Sequence, residues 1–534
     1  MAKYRSKTNY AQIYNGDRQG FNLGIDGAIF LKQEAVPRTF QAPSIGTQGQ
    51  SEGDTAASDD ISAHASPGTL NVSVRGAAAV TASVVTAGLN TGALIAAALE
   101  TAINTALVAA GSDDRVWVDF DSGDDHYTVY DQGTGTASTV VITDGVTNDI
   151  AADLLLGTAN GGTETAGTDD TDFLLYTTGG PTFNQPIESN AHRSGRFHSG
   201  IVKSKKVAEF GLSTYINMSG AAGESIDPAV RLLWKSLMGT ETVVAATAIR
   251  YTQGLPNFTM SMVRVSTIFA EYYTGAYVRE MNLAFPGDGP ATCEWSGKAS
   301  TRLIAGIARV NGAVAASANV ILENGQTDRY DVGAPVMVVG VDGQTILYGA
   351  DGSLTISSIT AVSHTLVLSG AVTTADESFI VPWSPGAVQQ TGRDAIFTDL
   401  EGSFKLKASG SNICVTNISL AANNDHYDVD NCFGVDHNEG FAAASRMTYT
   451  LGVTFDLSNE NFAEVVQSTK FEGLDPIIIL GATSGRHLKI SAPKWIPAVP
   501  TIEVPESGST PVTLEGNLFQ STPGAQDPIL IEFL

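Results

Sequence analysis

The chain has 534 residues, is 43% hydrophobic and carries a formal net charge of −26; at roughly 150 residues per domain this implies three or four units. The charge argues against a surface built as a whole to bind nucleic acid, and no uninterrupted apolar run reaches the roughly 18 residues needed to span a membrane. Fifty-five glycines, with abundant Thr, Ser, Ala and Val, favour a mainly β chain with many turns. The start (MAKYRSKTNYAQ) has no apolar segment of signal-peptide type, so a chain beginning near Met1 and made in a cytoplasm, with no membrane partner, is expected. Cys293, Cys414 and Cys432 are widely spaced with no CxxC pair, which points to free thiols.

In chain order, residues 1–43 have few periodic apolar positions and read as an N-terminal arm that needs a partner surface to become ordered. Residues 44–67 are polar and read as a linker. Residues 68–180 change character: two strands, a helix placing Ile95, Leu99, Ile103 and Leu107 on one stripe before Gly111, then three strands and a helical turn. From Ser44 to Gly180 there are 19 Asp and Glu residues against only Arg75 and Arg115, so most of the negative charge belongs to this α+β module. Its Ala-rich helix (AAALETAINTAL) and closing ITDG and DLLLG resemble the flagellin hook IN motif, a small domain that decorates filament-forming proteins, and the resemblance implies a surface insert.

Residues 181–309 form the next unit: a strand (KKVAEFGLSTYI), a capped helix (DPAVRLLWKSLMG), a hairpin over 246–265, and two strands joined by a tight turn. In the helix Asp227 caps, Pro228 takes the first position, and Val230, Leu233, Trp234 and Leu237 recur on one face that must be buried. Residues 310–385 read as an inserted small β-barrel. Residues 386–534 repeat the earlier grammar with a strand (SRMTYTLGVTFDL), a helix (SNENFAEVVQST) with Phe462, Val465 and Val466 on its buried face, a hairpin over 476–493, and closing strands. Pro290, Thr292 and Glu294 stand beside Pro511, Thr513 and Glu515 in the two closing strands, and the repeat of one β-rich unit with a single helix is the central expectation.

These two units, with the phrases GSFKLKASGSNICVTNISLAANN, RMTYTLGVTFDL, LKISAPKW and PVTLEGNLFQ, resemble the tail tube protein of long-tailed bacteriophages. The resemblance implies two β-sandwich units per chain, each with one flanking helix, and a virion structural protein of the tail rather than an enzyme, with no cofactor. It further implies a homo-oligomeric ring, trimeric with pseudo-sixfold symmetry or alternatively hexameric. Stacked rings would form a conduit through which double-stranded DNA passes without specific binding, with tape measure, tail-end and tail-terminator proteins as partners. The hairpin tips Gly254, Leu255, Pro256 and Asn257, and Ser484, Gly485 and Arg486, are candidate ring-to-ring contacts, against the alternative that these hairpins only complete their own sheets.

Signals for chemistry are weak. Asp425, His426, Asp428, Asp430, Cys432, Asp436 and His437 crowd one stretch, but their spacing fits neither an EF-hand nor a zinc site, and a solvated loop between strands is the better reading. His192, His198 and His364 are isolated, and there is no GxSxG, HExxH or P-loop. The competing readings are another virion or extracellular β-rich structural or adhesive protein, and a glycan hydrolase using paired carboxylates.

Overall fold

The computed structural model describes residues 10–14, 28–43, 48–55, 57–112, 114–134, 138–167, 172–174, 176–184, 187–189, 193–194, 197–198, 201–203, 207–216, 226–244, 247–254, 259–266, 268–287, 289–385, 402–424, 427–428, 441–442, 447–457, 473–483, 486–500, 510–522, 525 and 527–534. The protein is mainly β, with several antiparallel sheets.

The first unit comprises β1 (Ala28–Gln33), β2 (Thr178–Asn184), β3 (Val207–Tyr215), the helix Pro228–Met238, β4 (Gly239–Val244), β5 (Ala248–Gln253), β6 (Met260–Val265), β7 (Phe269–Pro286), β8 (Thr292–Ala299) and β9 (Thr301–Gly306). The second comprises β10 (Gly402–Lys405), β11 (Val415–Asn424), β12 (Met447–Asp456), β13 (Ile477–Thr483), β14 (Arg486–Ser491), β15 (Lys494–Pro497), β16 (Pro511–Phe519) and β17 (Leu530–Phe533). In the inner layer the strand order is β2-β3-β8-β7 followed without a break by β11-β12-β16-β15. In the outer layer β1-β6-β7-β9 of the first unit matches β10-β13-β14-β17 of the second. One long strand, β7, does the work of both β14 and β15: its first part pairs with β6 and β9, its second with β8 and β11.

The crossing between layers falls at Gly275, whose φ of +67° is open to glycine without strain, and whose Cβ, if present, would lie 2.5 Å from Ser300 Oγ. The buried Glu34 carboxylate clamps this bend, accepting hydrogen bonds from the Gly275 N–H at 2.8 Å, the Arg38 N–H at 2.6 Å, the Ser261 hydroxyl at 3.1 Å and the Thr259 hydroxyl.

The two units share a single hydrophobic core rather than holding one each: Phe210, Leu212, Trp234 and Trp295 belong to the same cluster as Leu420, Tyr449, Leu488 and Val512. The helix Pro228–Met238 is capped by Asp227, whose side chain accepts from the Ala229 N–H at 3.0 Å. It buries Val230, Leu233, Trp234 and Leu237, Trp234 standing edge-on to Trp295 with ring centroids 4.9 Å apart. The second helix, with Phe462, Val465 and Val466, lies outside the described residues.

Three sequence expectations are corrected. Residues 246–265 are not a hairpin: β5 pairs with β4 and β17, whereas β6 pairs with β1 and β7, because the chain passes there from one sheet to another. The stretch 48–67 is not a linker: Gln48–Glu52 is a strand paired with His126–Thr134 and Thr163–Thr165, and Ala57 and Ile61 are buried in the acidic module's own core with Ile95, Leu99, Ile103 and Leu107. The arm is not free of its own chain either, since Tyr10 is buried and its N–H donates to the Gly343 carbonyl at 2.8 Å.

The helix Gly92–Ala109 is long and apolar enough by length and composition to cross a membrane, yet its stripe packs into this module's core. Residues 308–382 fold as a four-stranded and a three-stranded sheet and lie in the chain between the two units. Their core is continuous with the outward face of the first unit's outer layer through Phe30, Val263 and Tyr272. The corresponding face of the second unit carries Lys489, Glu532 and the neighbouring Arg250 instead, Glu532 accepting from Arg250 Nε at 2.8 Å and Lys489 Nζ at 3.1 Å. The small β-domain thus packs on an apolar outward face of the first unit, whereas the corresponding face of the second is mixed, with Ile477 and Ile479 beside this charged group.

Candidate assembly surface

Alternation of side chains along a strand sends every second residue to the same face. In the inner layer the core-facing set includes Phe210, Leu212, Cys293, Trp295, Leu420, Leu451 and Leu514. The residues between them face away from the core and are mostly small and polar, among them Ser213, Ser296, Asn282, Ser419, Asn423, Thr450, Thr454, Thr513 and Asn517, with Ala421 and the exposed rings of Tyr215 and Phe519 on the same face. The in-register strand pairs set them in rows that cross the unit boundary. One row runs Thr178, Ser213, Glu294, Asn282, Ala421, Thr450, Asn517 and Ile496.

Neighbours within the rows are hydrogen-bonded. Glu280 accepts from Ser296 Oγ at 3.3 Å on its own unit and from Asn423 Nδ2 at 3.2 Å on the other. Thr450 Oγ1 donates to Asn517 Oδ1 at 3.1 Å, and the Thr454 and Thr513 hydroxyls lie 3.1 Å apart. The face is mildly acidic, with Glu209, Glu280, Glu294, Asp456 and Glu515 against Lys298, Lys494 and Arg279 at the bulge beside Glu280, and Lys298 Nζ is 4.0 Å from Glu209 Oε1. A shallow open groove of 630 Å³ lies over Glu280, Asn282, Glu294, Ser296 and Asn423. The arrangement offers a broad wall of mostly small groups, several of them hydrogen-bonded to one another.

The unit junction on this wall is the antiparallel pair β7·β11, in register from Glu280 opposite Asn423 to Pro286 opposite Asn417. The outer layer is joined differently, by β17, which lies between β5 of the first unit and β14 of the second. Phe533 packs against Trp234 and Tyr251 of the first unit, with centroids 6.0 Å from each.

Long hairpins extend from equivalent places in the two units. Beyond β2 and β3 the chain continues through the pairs Ile187–Ser189 with Ile201–Lys203 and Arg193–Ser194 with Phe197–His198. Beyond β11 and β12 it continues through Tyr427–Asp428 paired with Phe441–Ala442. Of the crowded polar stretch, Asp428 lies in the short strand Tyr427–Asp428, and Asp425, His426, Asp430, Cys432, Asp436 and His437 lie outside the described residues.

Of the proposed hairpin tips, Gly254 follows β5 and its N–H donates to the Met238 carbonyl at 2.7 Å; Leu255, Pro256, Asn257, Ser484 and Gly485 lie outside the described residues. Arg486 opens β14 opposite Thr483, and the β13·β14 hairpin is an integral part of the six-stranded sheet. His192 is outside the described residues, and His198 lies in the first long hairpin. His364 occupies a left-handed turn with φ +51°, its carbonyl accepting from the Leu322 N–H at 2.8 Å. Sequence reasoning overlooked the wall and the long hairpins, although the alternation in VTNISLAANN and MTYTLGVTFD carries the signal. No protein-family model matches the chain, and no curated protein matches it in sequence.

Proposed function

We propose that this chain is the structural subunit of a phage-type tail tube, in which three copies form a ring with pseudo-sixfold symmetry, rings stack, and the polar inner wall lines a conduit for DNA. The observation that carries this reading is the continuous sheet made by two like units side by side, with a small, polar, mildly acidic face. Backbone phosphates slide past such a face because it offers few lysines or arginines to hold them.

Geometry favours several chains over one. Eight strands about 4.8 Å apart and tilted about 40° would close into a cylinder only roughly 16 Å wide, filled by side chains. About 24 strands give roughly 48 Å between backbones and a bore of about 35 Å, wide enough for a DNA duplex. The long hairpins 178–215 and 415–456 replace the shorter ones as ring-to-ring contacts, since they extend past the sheet while β13·β14 is built into it. The acidic module, too large for the bore, decorates the exterior, where its charge keeps tubes from bundling. As a virion component the subunit works in the tail and needs no catalytic group.

Electron microscopy of the purified full chain tests the proposal. Hollow stacked rings with threefold end-on averages are expected. Isolated monomers or solid fibres would sink it, and a density map with the acidic module inside the channel would remove that part alone.

A further inference from the structure

The repeat supplies a template for the contact between copies. Ser213 opposite Glu294 corresponds to Gly452 opposite Glu515, which equates β3 with β12 and β8 with β16. Through those strands Thr178, Gly180 and Thr182 of β2 correspond to Ser419, Ala421 and Asn423 of β11. In the same way Glu280 and Met281 of β7 correspond to Ile496 and Pro497 of β15. Burial follows the same parity: Pro181 and Ala422 are buried, as are Met281 and Pro497.

The two strands at the ends of the inner layer are those left over. Among the described residues β2 pairs only with β3, and β15 pairs with β16, its other side being met only at Trp495 by Leu474.

We infer that a second copy of this chain docks by pairing the 496–500 segment with 178–182 in a defined register, Ile496 opposite Thr182, Pro497 opposite Pro181, Ala498 opposite Gly180 and Pro500 opposite Thr178 of the next copy. The inference rests on the tube reading and adds to it the residues of the ring-closing seam. This seam differs from the junction inside the chain. Pro497, Pro500 and Pro181 have no N–H to give, and Gly179 and Gly180 have φ of +100° and +153°. The seam therefore has a sparser hydrogen-bond ladder than β7·β11, and the buried Pro181 and Pro497 meet as an apolar pair equivalent to Met281 and Ala422 within the chain. Strand edges broken by proline refuse most partners, so the seam closes on its own complement while staying easier to open than the junction within the chain.

The test uses the full chain carrying Cys414→Ser and Cys432→Ser, with Thr182→Cys and Ile496→Cys added. Opposed positions on antiparallel strands bring Cβ atoms to about 5 Å, near disulfide reach. On oxidation, cross-linked species stopping at three chains on a non-reducing gel are expected, with cross-linking about tenfold lower for the shifted pair Thr182→Cys and Pro500→Cys. Hollow tubes that give no cross-link, or cross-link equally in the shifted pair, overturn the register and leave the tube reading standing. Failure of the unsubstituted chain to form rings overturns both.

If the cysteine variant does not fold, charge pairs decide the matter. Thr182→Lys with Ile496→Lys should block rings and Thr182→Glu with Ile496→Lys should restore them; rings in both, or in neither, overturn the seam.

Discussion

Glu34 shows how much of this fold turns on single groups. Its carboxylate gathers two hydroxyls and two backbone N–H groups at the bend where β7 leaves the outer layer for the inner one. Glu34→Ala strands these donors in the interior, and a loss of about 3 kcal/mol is expected, read as a lower denaturant midpoint with an unchanged slope. Gly275→Ala should act at the same bend through the left-handed backbone. Cysteine reactivity divides by burial: Cys293 is buried and burial pushes its thiol well above the usual range, while Cys414 is exposed. Alkylation of the native protein should label Cys414 within minutes and reach Cys293 only after denaturation; early labelling of Cys293 would mean that the core between β3 and β8 is open.

At the scale of elements, two pieces hold the units together. The helix Pro228–Met238 pins Trp234 between Trp295, Tyr251 and Phe533, so Trp234→Ala should cost about 3–5 kcal/mol. Val243→Ala on the exposed face of β4 should stay within about 0.5 kcal/mol. Paired thermal melts of the two variants check the contrast. The strand β17 is the second piece. Glu532 is buried between Arg250 on one side and Lys489 on the other. Both cations are partly exposed, and once unpaired they turn to water, so Glu532→Ala should cost only about 1–2 kcal/mol. Its readout is faster amide exchange in β5 and β14 together; protection lost in one of them alone would argue against β17 as the tie.

For the whole molecule, buried tyrosines set the alkaline limit. Burial pushes Tyr251, Tyr272 and Tyr449 up from their ordinary value. In the folded state they keep their protons above about pH 10, where the unfolded chain gives them up. Their contribution is complete below that pH and falls as pH rises beyond it. Tyrosinate absorbance should therefore rise in two stages, an exposed fraction near pH 10 and a cooperative fraction at higher pH coinciding with loss of near-ultraviolet dichroism. A single stage near pH 10 with the fold intact would contradict the burial.

A second prediction belongs to the proposed tube. Replacing Glu280, Glu294 and Glu515 by lysine should make the wall of that tube retain duplex DNA more strongly than the unsubstituted one, with affinity falling steeply as salt rises. Retention indifferent to salt would point away from wall phosphate contacts.

Much of this architecture was legible in the residues. The i, i+3, i+4, i+7 spacing of Val230, Leu233, Trp234 and Leu237 specified a buried helix face, and the matched Thr292, Glu294 and Thr513, Glu515 gave away the closing strands of a repeat. A period of two states which face a side chain takes, but not which strand lies alongside, because backbone hydrogen bonds are nearly the same whatever the sequence. Hence 246–265 looked like a hairpin, although β5 and β6 belong to different sheets, and 48–67 looked like a linker, although Gln48–Glu52 pairs with strands distant in sequence. Composition and periodicity by themselves determined a mainly β chain with an acidic module and two like units. Only the tertiary structure decided that those units share one core and one continuous sheet, because joining β7 to β11 buries a common apolar layer that neither unit could complete alone.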